Sequence, residues 1–202
     1  MEQWYPEKLG VGPDGTPRTY QFMKGVYAQD APIKYAEFGI YLGDTARNVA
    51  EMYPNAEIHL FDYGEQLDRV KYKFERYGNR VHYHPCTQKY MDSYNWNLIN
   101  IIGTGLKFDY CFIDGPHSVA VDALTFFLCD KVLNIGGYVD FDDYDWNMRG
   151  SSVDPTKVSE TAMLYTDEQI DAYQIKMVVD KLVKTDTRYE TMIGNKIYKK
   201  IG

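Results

Sequence analysis

Cysteine is scarce. Cys86, Cys111 and Cys129 are the chain's three, and no two of them stand in a C-x-x-C pair. Zinc-ribbon and dithiol redox chemistry therefore find no support, and the odd number speaks against a disulfide framework and for a reducing, cytoplasmic setting. Cys111, inside the apolar run Phe108–Ile113, reads as a small core residue. No apolar run approaches the roughly 20 residues of a membrane span. The first residues lack a basic segment followed by an apolar one, so no secretory leader is expected. There is no basic stripe, and the formal net charge is -7, which argues against a nucleic-acid partner. The G-x-G-x-x-G fingerprint of nicotinamide-binding domains is also missing.

What is present is a regular alternation. Tyr35–Ile40, Glu57–Phe61, Arg80–Tyr83, Phe108–Ile113 and Tyr138–Phe141 have strand character. Between them lie segments of helical spacing, predicted over Asp44–Tyr53, Glu65–Tyr77, Ser93–Ile102 and Val119–Leu133. Asp44 or Thr45 would cap the first of these and Pro54 would stop it. Five strands separated by helices imply a parallel sheet covered on both faces. The tail departs from that rhythm. Thr166-Asp-Glu-Gln169 is a capping box opening a helix to about Val183. Arg188–Ile193 and Lys196–Ile201, joined by Gly194-Asn195, form an antiparallel hairpin. The basic pair Lys199-Lys200 is expected on a solvated strand end.

The 202 residues fit a single domain, with residues 1–32 as an irregular N-terminal cap that includes a short helix over Tyr20–Tyr27. Residues 144–165 are expected to form a substrate or lid loop. Arg149 within it is read as exposed, with an acidic substrate as its alternative partner. Nineteen tyrosines suit core and half-buried positions, since each ring is apolar with one polar end. His59 lies inside a strand and reads as structural. His82 and His84 alternate on a short strand, without a partner at ligand spacing in the sequence.

Two stretches carry the candidate chemistry. The first is Glu37-Phe-Gly39-Ile-Tyr41-Leu-Gly43, a glycine turn after a strand, with Asp62 at the end of the next strand. Glycines there let a ligand approach the backbone, and an acid so placed can accept hydrogen bonds from ribose hydroxyls. The second pairs Ile113-Asp114-Gly-Pro-His117 with Asp140-Phe-Asp142-Asp143-Tyr-Asp145-Trp146. Asp114, Asp142 and Asp143 fall at the carboxyl ends of adjacent strands, where open α/β sheets bind ligands. Carboxylates brought together there need a cation, and oxygen ligands favour Mg²⁺ or a similar hard ion.

From Tyr35 to Ile201 the chain resembles class I S-adenosylmethionine-dependent methyltransferases, in particular small-molecule O-methyltransferases of the catechol O-methyltransferase type and those associated with sugar and polysaccharide synthesis. Tyr41 replaces the glycine of the commoner motif, as that subset tolerates. The resemblance implies a three-layer Rossmann-like α/β fold, a seven-stranded mostly parallel sheet ending in an antiparallel hairpin. It implies S-adenosylmethionine held by Glu37, Gly39, Tyr41, Gly43, Asp62, Cys86, Thr87 and Asp114. It implies Mg²⁺ at Asp114, Asp142 and Asp143, and methyl transfer to a small hydroxylated molecule or sugar. Asp114 and His117 would be catalytic. His117 stands where catechol-type enzymes carry a lysine, and its alternative roles are metal ligand or helix cap. Metal-independent transfer and a non-catalytic nucleoside-binding relic of the fold remain open, as does a homo-oligomer.

Overall fold

Four largely apolar runs and the histidine-bearing Val81–Cys86 line up as parallel strands. The structure, a computed structural model, describes residues 19–202. The strands are β1 (Lys34–Phe38), β2 (Glu57–Tyr63), β3 (Val81–Cys86), β4 (Phe108–Ile113), β5 (Leu133–Phe141), β6 (Tyr189–Ile193) and β7 (Ile197–Lys200). They form one sheet in the order β3-β2-β1-β4-β5-β7-β6. The first five run parallel, and β7 is antiparallel to both β5 and β6. This is the expected seven-stranded sheet with its terminal hairpin.

Helices cover both faces. On one side α1 (Thr19–Val26) and α2 (Asp44–Met52), with the 3₁₀ segment Lys71–Arg80 that continues α3 (Gly64–Val70), bury Met23, Val49 and Phe74 against Tyr35, Ile58 and Tyr110. On the other, α4 (Tyr94–Ile101), α5 (Val119–Val132) and α8 (Gln174–Val178) bury Leu98, Phe126 and Ile175 against Phe38, Cys111 and Val139. All three cysteines are buried and free. The tyrosines divide as their chemistry allows. Tyr35, Tyr53, Tyr110 and Tyr198 are wholly inside, while Tyr41, Tyr72 and Tyr90 are exposed. Among the described residues no helix is long and apolar enough to cross a membrane.

Several boundaries differ from the sequence reading. The cap of α2 is Gly43, in the left-handed region at φ 69°, and Asp44 belongs to the first turn. β5 begins at Leu133, with Gly136 at φ 89° in a bulge opposite Asp109. A Cβ on Gly137 would lie 2.9 Å from the Asp109 carbonyl oxygen, so the bulge needs a glycine there. The capping box at Thr166 forms, but its helix, α7 (Asp167–Asp171), stops at once. The chain extends at Ala172 and restarts as α8, followed by a wider π turn over Val179–Val183. Gln174 explains the break: its side chain accepts from the Val119 N–H at 2.9 Å and donates to the Gln169 carbonyl at 2.9 Å, which docks the segment on the start of α5. The stretch 144–165 contains a short helix, α6 (Ser159–Leu164). Arg149 pairs with Asp171 at 2.7 Å and Asp167 at 3.3 Å.

Lys200 is not on a solvated end. Its Nζ donates to the Asp130 carbonyl at 2.5 Å and lies 3.3 Å from the Asp130 carboxylate, which Arg188 also holds at 2.8 Å. β6 is the edge strand, so β7 is an interior one and its residues are covered. Of the segment read as an N-terminal cap, residues 1–18 lie outside the described residues.

Candidate active site

The strand order reverses between β1 and β4, and their carboxyl ends form the crevice where such sheets bind ligands. Gly39 leaves β1 at φ 89°, its N–H bonded to the Phe61 carbonyl at 2.9 Å. A Cβ on it would sit 2.0 Å from the Asp114 carbonyl oxygen. Two backbones therefore touch across the crevice, and only glycine fits. The loop from Gly39 to Gly43 is tied from outside: Gln66 donates to the Tyr41 carbonyl, and Lys73 donates to the Leu42 carbonyl at 2.8 Å. Tyr41 itself is 75% exposed, its ring free over the rim.

Asp62 ends β2 beside this loop. Its Oδ2 accepts the Ile40 N–H at 2.7 Å and its Oδ1 accepts the Tyr63 N–H at 2.6 Å. A carboxylate oxygen has two lone pairs, so each oxygen is aimed by one amide and keeps one acceptor site. Those two sites match a pair of vicinal hydroxyls. Glu37 is buried one turn of chain earlier, and Tyr35 donates to its Oε2 at 2.5 Å. Burial is the main cause that pushes the Glu37 carboxyl up to about 8; the Tyr35 bond opposes it, and Asp142, Asp62 and Asp140 add to it. At the third strand, Cys86 is the buried last residue of β3. Thr87 follows it, its N–H and hydroxyl both donating to Asp92 Oδ2, at 2.7 and 2.6 Å.

The acids after β4 and β5 complete the rim. Asp114 N–H bonds the Phe38 carbonyl at 2.9 Å, and Asp142 N–H bonds the Ile113 carbonyl at 3.1 Å. His117 Nε2 lies 3.2 Å from Asp143 Oδ2 and 3.8 Å from Asp114 Oδ1. Burial, then the charges of Asp142, Glu37 and Asp143, push Asp114 up to about 9. Burial also raises Asp143 and lowers His117, against the pull of Asp143 and Asp142 on the imidazole. His117 is not the helix cap; Ser118 is, accepting from Val121 N–H. The His117 ring packs on Trp146 with centroids 5.0 Å apart, and its Nδ1 is buried without a partner.

Four non-glycine residues hold positive φ among those described: Tyr41 at 44°, His117 at 54°, Asp143 at 55° and Asn195 at 63°. Asn195 serves the hairpin turn. The other three follow β1, β4 and β5 at one rim. Such strain costs of order 1–3 kcal/mol per residue and gathers at functional sites.

The sequence reading missed Lys196. Hairpin pairing brings Ile197 opposite Asp140, and the preceding Lys196 reaches inward. Its Nζ lies 2.9 Å from Asp140 Oδ1 and 3.4 Å from Asp142 Oδ1. Asp140 is wholly buried, also accepting from Thr19 at 2.6 Å and Tyr110 at 2.7 Å. Laying the hairpin alongside β5 in sequence would have exposed this lysine. As the chain stands, Asp114, Asp142 and Asp143 are not all within 4.8 Å of one another; Asp143 leans to His117 and Asp142 to Lys196.

The rim predicts a pH dependence. Glu37 and Asp114 hold protons in the folded chain well above the ordinary carboxylate range, whereas the unfolded chain loses them near pH 4. The folded state thus binds more protons, and its stability falls as pH rises through about 5 to 9. Asp130, pulled down to about 2 against its burial by Arg188 and Lys200, sets the opposite slope below about pH 4. Between about pH 4 and 6.5 unfolding lets His59 and His84, which burial holds down to about 3 and about 4, take up protons, and this offsets the slope set by Glu37 and Asp114. The melting temperature should therefore decline chiefly from about pH 6.5 to 9, and Glu37→Gln should flatten that decline.

No protein-family model and no curated protein matches the chain. Solved structures do. The Podospora anserina methyltransferase PaMTH1, bound to S-adenosylhomocysteine, superposes with a TM-score of 0.54 at 18% identity, over 83% of this chain and 70% of that one. The O-methyltransferase TomG of Streptomyces achromogenes, involved in tomaymycin synthesis and bound to S-adenosylmethionine, gives 0.54 at 12% identity, over 84% and 73%. MycE, a methyltransferase of mycinamycin biosynthesis with Mg and S-adenosylhomocysteine, gives 0.55 at 15% identity, over 86% of this chain and 46% of that one. At such identities the likeness establishes architecture: this chain has the fold of class I S-adenosylmethionine-dependent O-methyltransferases.

Proposed function

We propose that the chain transfers the methyl group of S-adenosylmethionine to a hydroxyl oxygen of a small molecule or sugar, assisted by a divalent cation of the Mg²⁺ class. The observation that carries this reading is Asp62, each of whose oxygens is oriented by a backbone amide and keeps one free lone pair beside the glycine loop. The backbone contact at Gly39 fixes the glycine loop against the Asp114 turn at the same rim. Glu37 and the Gly39–Gly43 loop with Tyr41 would line the methionine end, Asp62 the ribose, and Cys86 and Thr87 the adenine edge. Asp114, Asp142 and Asp143 are hard oxygen donors whose mutual repulsion a cation would relieve.

When bound, the donor supplies an electrophilic sulfonium methyl, and the cation lowers the pKa of an acceptor hydroxyl. The chain's own work is alignment and proton removal. His117, kept unprotonated at neutral pH by burial, accepts the hydroxyl proton, and Asp143, 3.2 Å from its Nε2, stabilises the imidazolium that forms. Asp114 Oδ1 lies 3.8 Å from the same nitrogen. Trp146 limits the ring's rotation.

Lys196 favours a second reading. It places a fixed positive charge on Asp142, which would let transfer proceed by positioning without a metal. The test is transfer of labelled methyl from S-adenosylmethionine to a panel of catechols, other phenols and sugars, with Mg²⁺ or with chelator. The first reading expects label on a hydroxylated acceptor, lost with chelator; the second expects label retained. His117→Gln should lower kcat by about 10²–10⁴ and abolish the acid limb of the pH profile below about pH 6.5. Label on no acceptor, with the donor bound, would identify a binding relic instead.

A further inference from the structure

Three of the chain's four histidines meet on β2 and β3, away from the acids that follow β4 and β5. Glu57 and His59 are two residues apart on β2, so their side chains share one face of the sheet. Parallel pairing sets His82 of β3 opposite His59, and His84 opposite Phe61. All four polar residues thus lie on the face that α4 partly covers, at the outer edge of the sheet. Five residue steps along β2 separate Glu57 from Asp62, about 16 Å at about 3.3 Å each, and three steps, about 10 Å, separate His59 from it, so Glu57, His59 and His82 stand apart from the candidate active site.

Its geometry is particular. The His59 ring is held between Phe108, at 5.1 Å between centroids, and His84, whose Nε2 lies 3.0 Å from His59 Nδ1. In the tautomer in which Nδ1–H donates to His84, His59 Nε2 is left with a lone pair, the form a metal ligand needs. That nitrogen is buried with no hydrogen-bond partner, in a residue only 4% exposed. It faces Glu57 Oε2 at 3.9 Å, and one ligand atom each from Glu57, His59 and His82 lie within 4.8 Å of one another. An orphaned buried polar atom costs about 1–3 kcal/mol, and among the described residues nothing hydrogen-bonds this one.

We propose that Glu57, His59 and His82 form a second, unassigned site for a divalent cation of the zinc class, with His84 as the outer partner that fixes the His59 tautomer. Two imidazoles and one carboxylate form a nitrogen-rich donor set, which suits zinc and its late-transition neighbours better than Mg²⁺. A ligating histidine usually has a hydrogen bond on its far nitrogen, which fixes the ring's orientation and tautomer. Tetrahedral zinc bonds of about 2.0–2.1 Å put ligand atoms roughly 3.4 Å apart, so side chains must close by about 1 Å. His59 is fixed; His82, on the edge strand, and Glu57, half-exposed, can move. His82 must turn out of its stack on His59, where the rings are 4.5 Å apart. Lys34 Nζ, 2.7 Å from Glu57 Oε2, is the resident competitor for the carboxylate. A metal there ties the edge strand β3 to β2.

The test is calorimetric titration of Zn²⁺ into chelator-treated full chain, with Mg²⁺ in excess throughout to fill any hard-ion site. Wild type should bind zinc at a site that His82→Gln weakens at least tenfold. Asp143→Asn, at the rim, should leave that affinity within about twofold, and Lys34→Met should strengthen it. His82 is partly exposed, so an unchanged melting curve of metal-free His82→Gln would verify folding. The proposal is overturned if wild type binds no zinc, if His82→Gln binds as wild type does, or if the loss follows Asp143→Asn instead.

Discussion

Asp62→Ala should reduce affinity for S-adenosylhomocysteine by at least about 100-fold. The two free acceptor sites of this carboxylate are the ones placed for ribose hydroxyls, and a hydrogen bond to a charged group contributes about 1.5–3 kcal/mol, where 1.4 kcal/mol is tenfold. The same substitution frees the Ile40 and Tyr63 amides, which loosens the loop and adds to the loss. Tyr63 is exposed and its amide can turn to water, whereas Ile40 is buried and its amide loses its partner, at about 1–3 kcal/mol, so the melting temperature should fall by several degrees. Calorimetry on wild type and Asp62→Ala, with a melt of each, separates the two effects. An affinity within threefold of wild type would remove Asp62 from the site.

Gly39→Ala should be the most destabilising single-methyl change in the chain. Its Cβ would meet the Asp114 carbonyl oxygen at 2.0 Å, the carbonyl carbon at 2.7 Å and Gly115 Cα at 3.0 Å, all backbone atoms that cannot swing aside. The left-handed φ of 89° adds strain of about 1–2 kcal/mol. Forcing β1 from β4 adds about 1–3 kcal/mol. Together these should lower the melting temperature by roughly 10 °C, at about 2–4 °C per kcal/mol for a chain of this size. Gly103 is the internal control. It has nearly the same φ, 88°, but no atom within 4 Å of its would-be Cβ. Gly103→Ala should therefore cost the strain alone. Equal losses for the two variants would mean that the Asp114–Gly115 backbone does not press on Gly39.

The sequence made the sheet legible because its signals are local. The apolar run Phe108–Ile113, the glycines at 39 and 43 and the Gly194-Asn195 turn act within a few residues of themselves, and each appears where its chemistry demands. Acids at strand ends were also legible, because a parallel sheet delivers every carboxyl end to one rim. What escaped is non-local. The helix after the Thr166 capping box breaks at Ala172 with no glycine or proline to announce it, because Gln174 is docked on α5. Lys196 meets Asp140 and Asp142 only through the hairpin's pairing with β5. His59, His82 and His84 converge only through the register of β2 on β3, which no spacing along the chain encodes. Lys200 looked solvated because a terminal strand is commonly an edge, and here it is not.

The most direct test is a crystal structure of the chain grown with S-adenosylhomocysteine. The account predicts both ribose hydroxyls within hydrogen-bond distance of the Asp62 carboxylate, the homocysteine portion over Gly39, and the sulfur directed toward the space between His117 and Asp142. A nucleoside seated elsewhere, or side chains filling the crevice between β1 and β4 in its place, would contradict it.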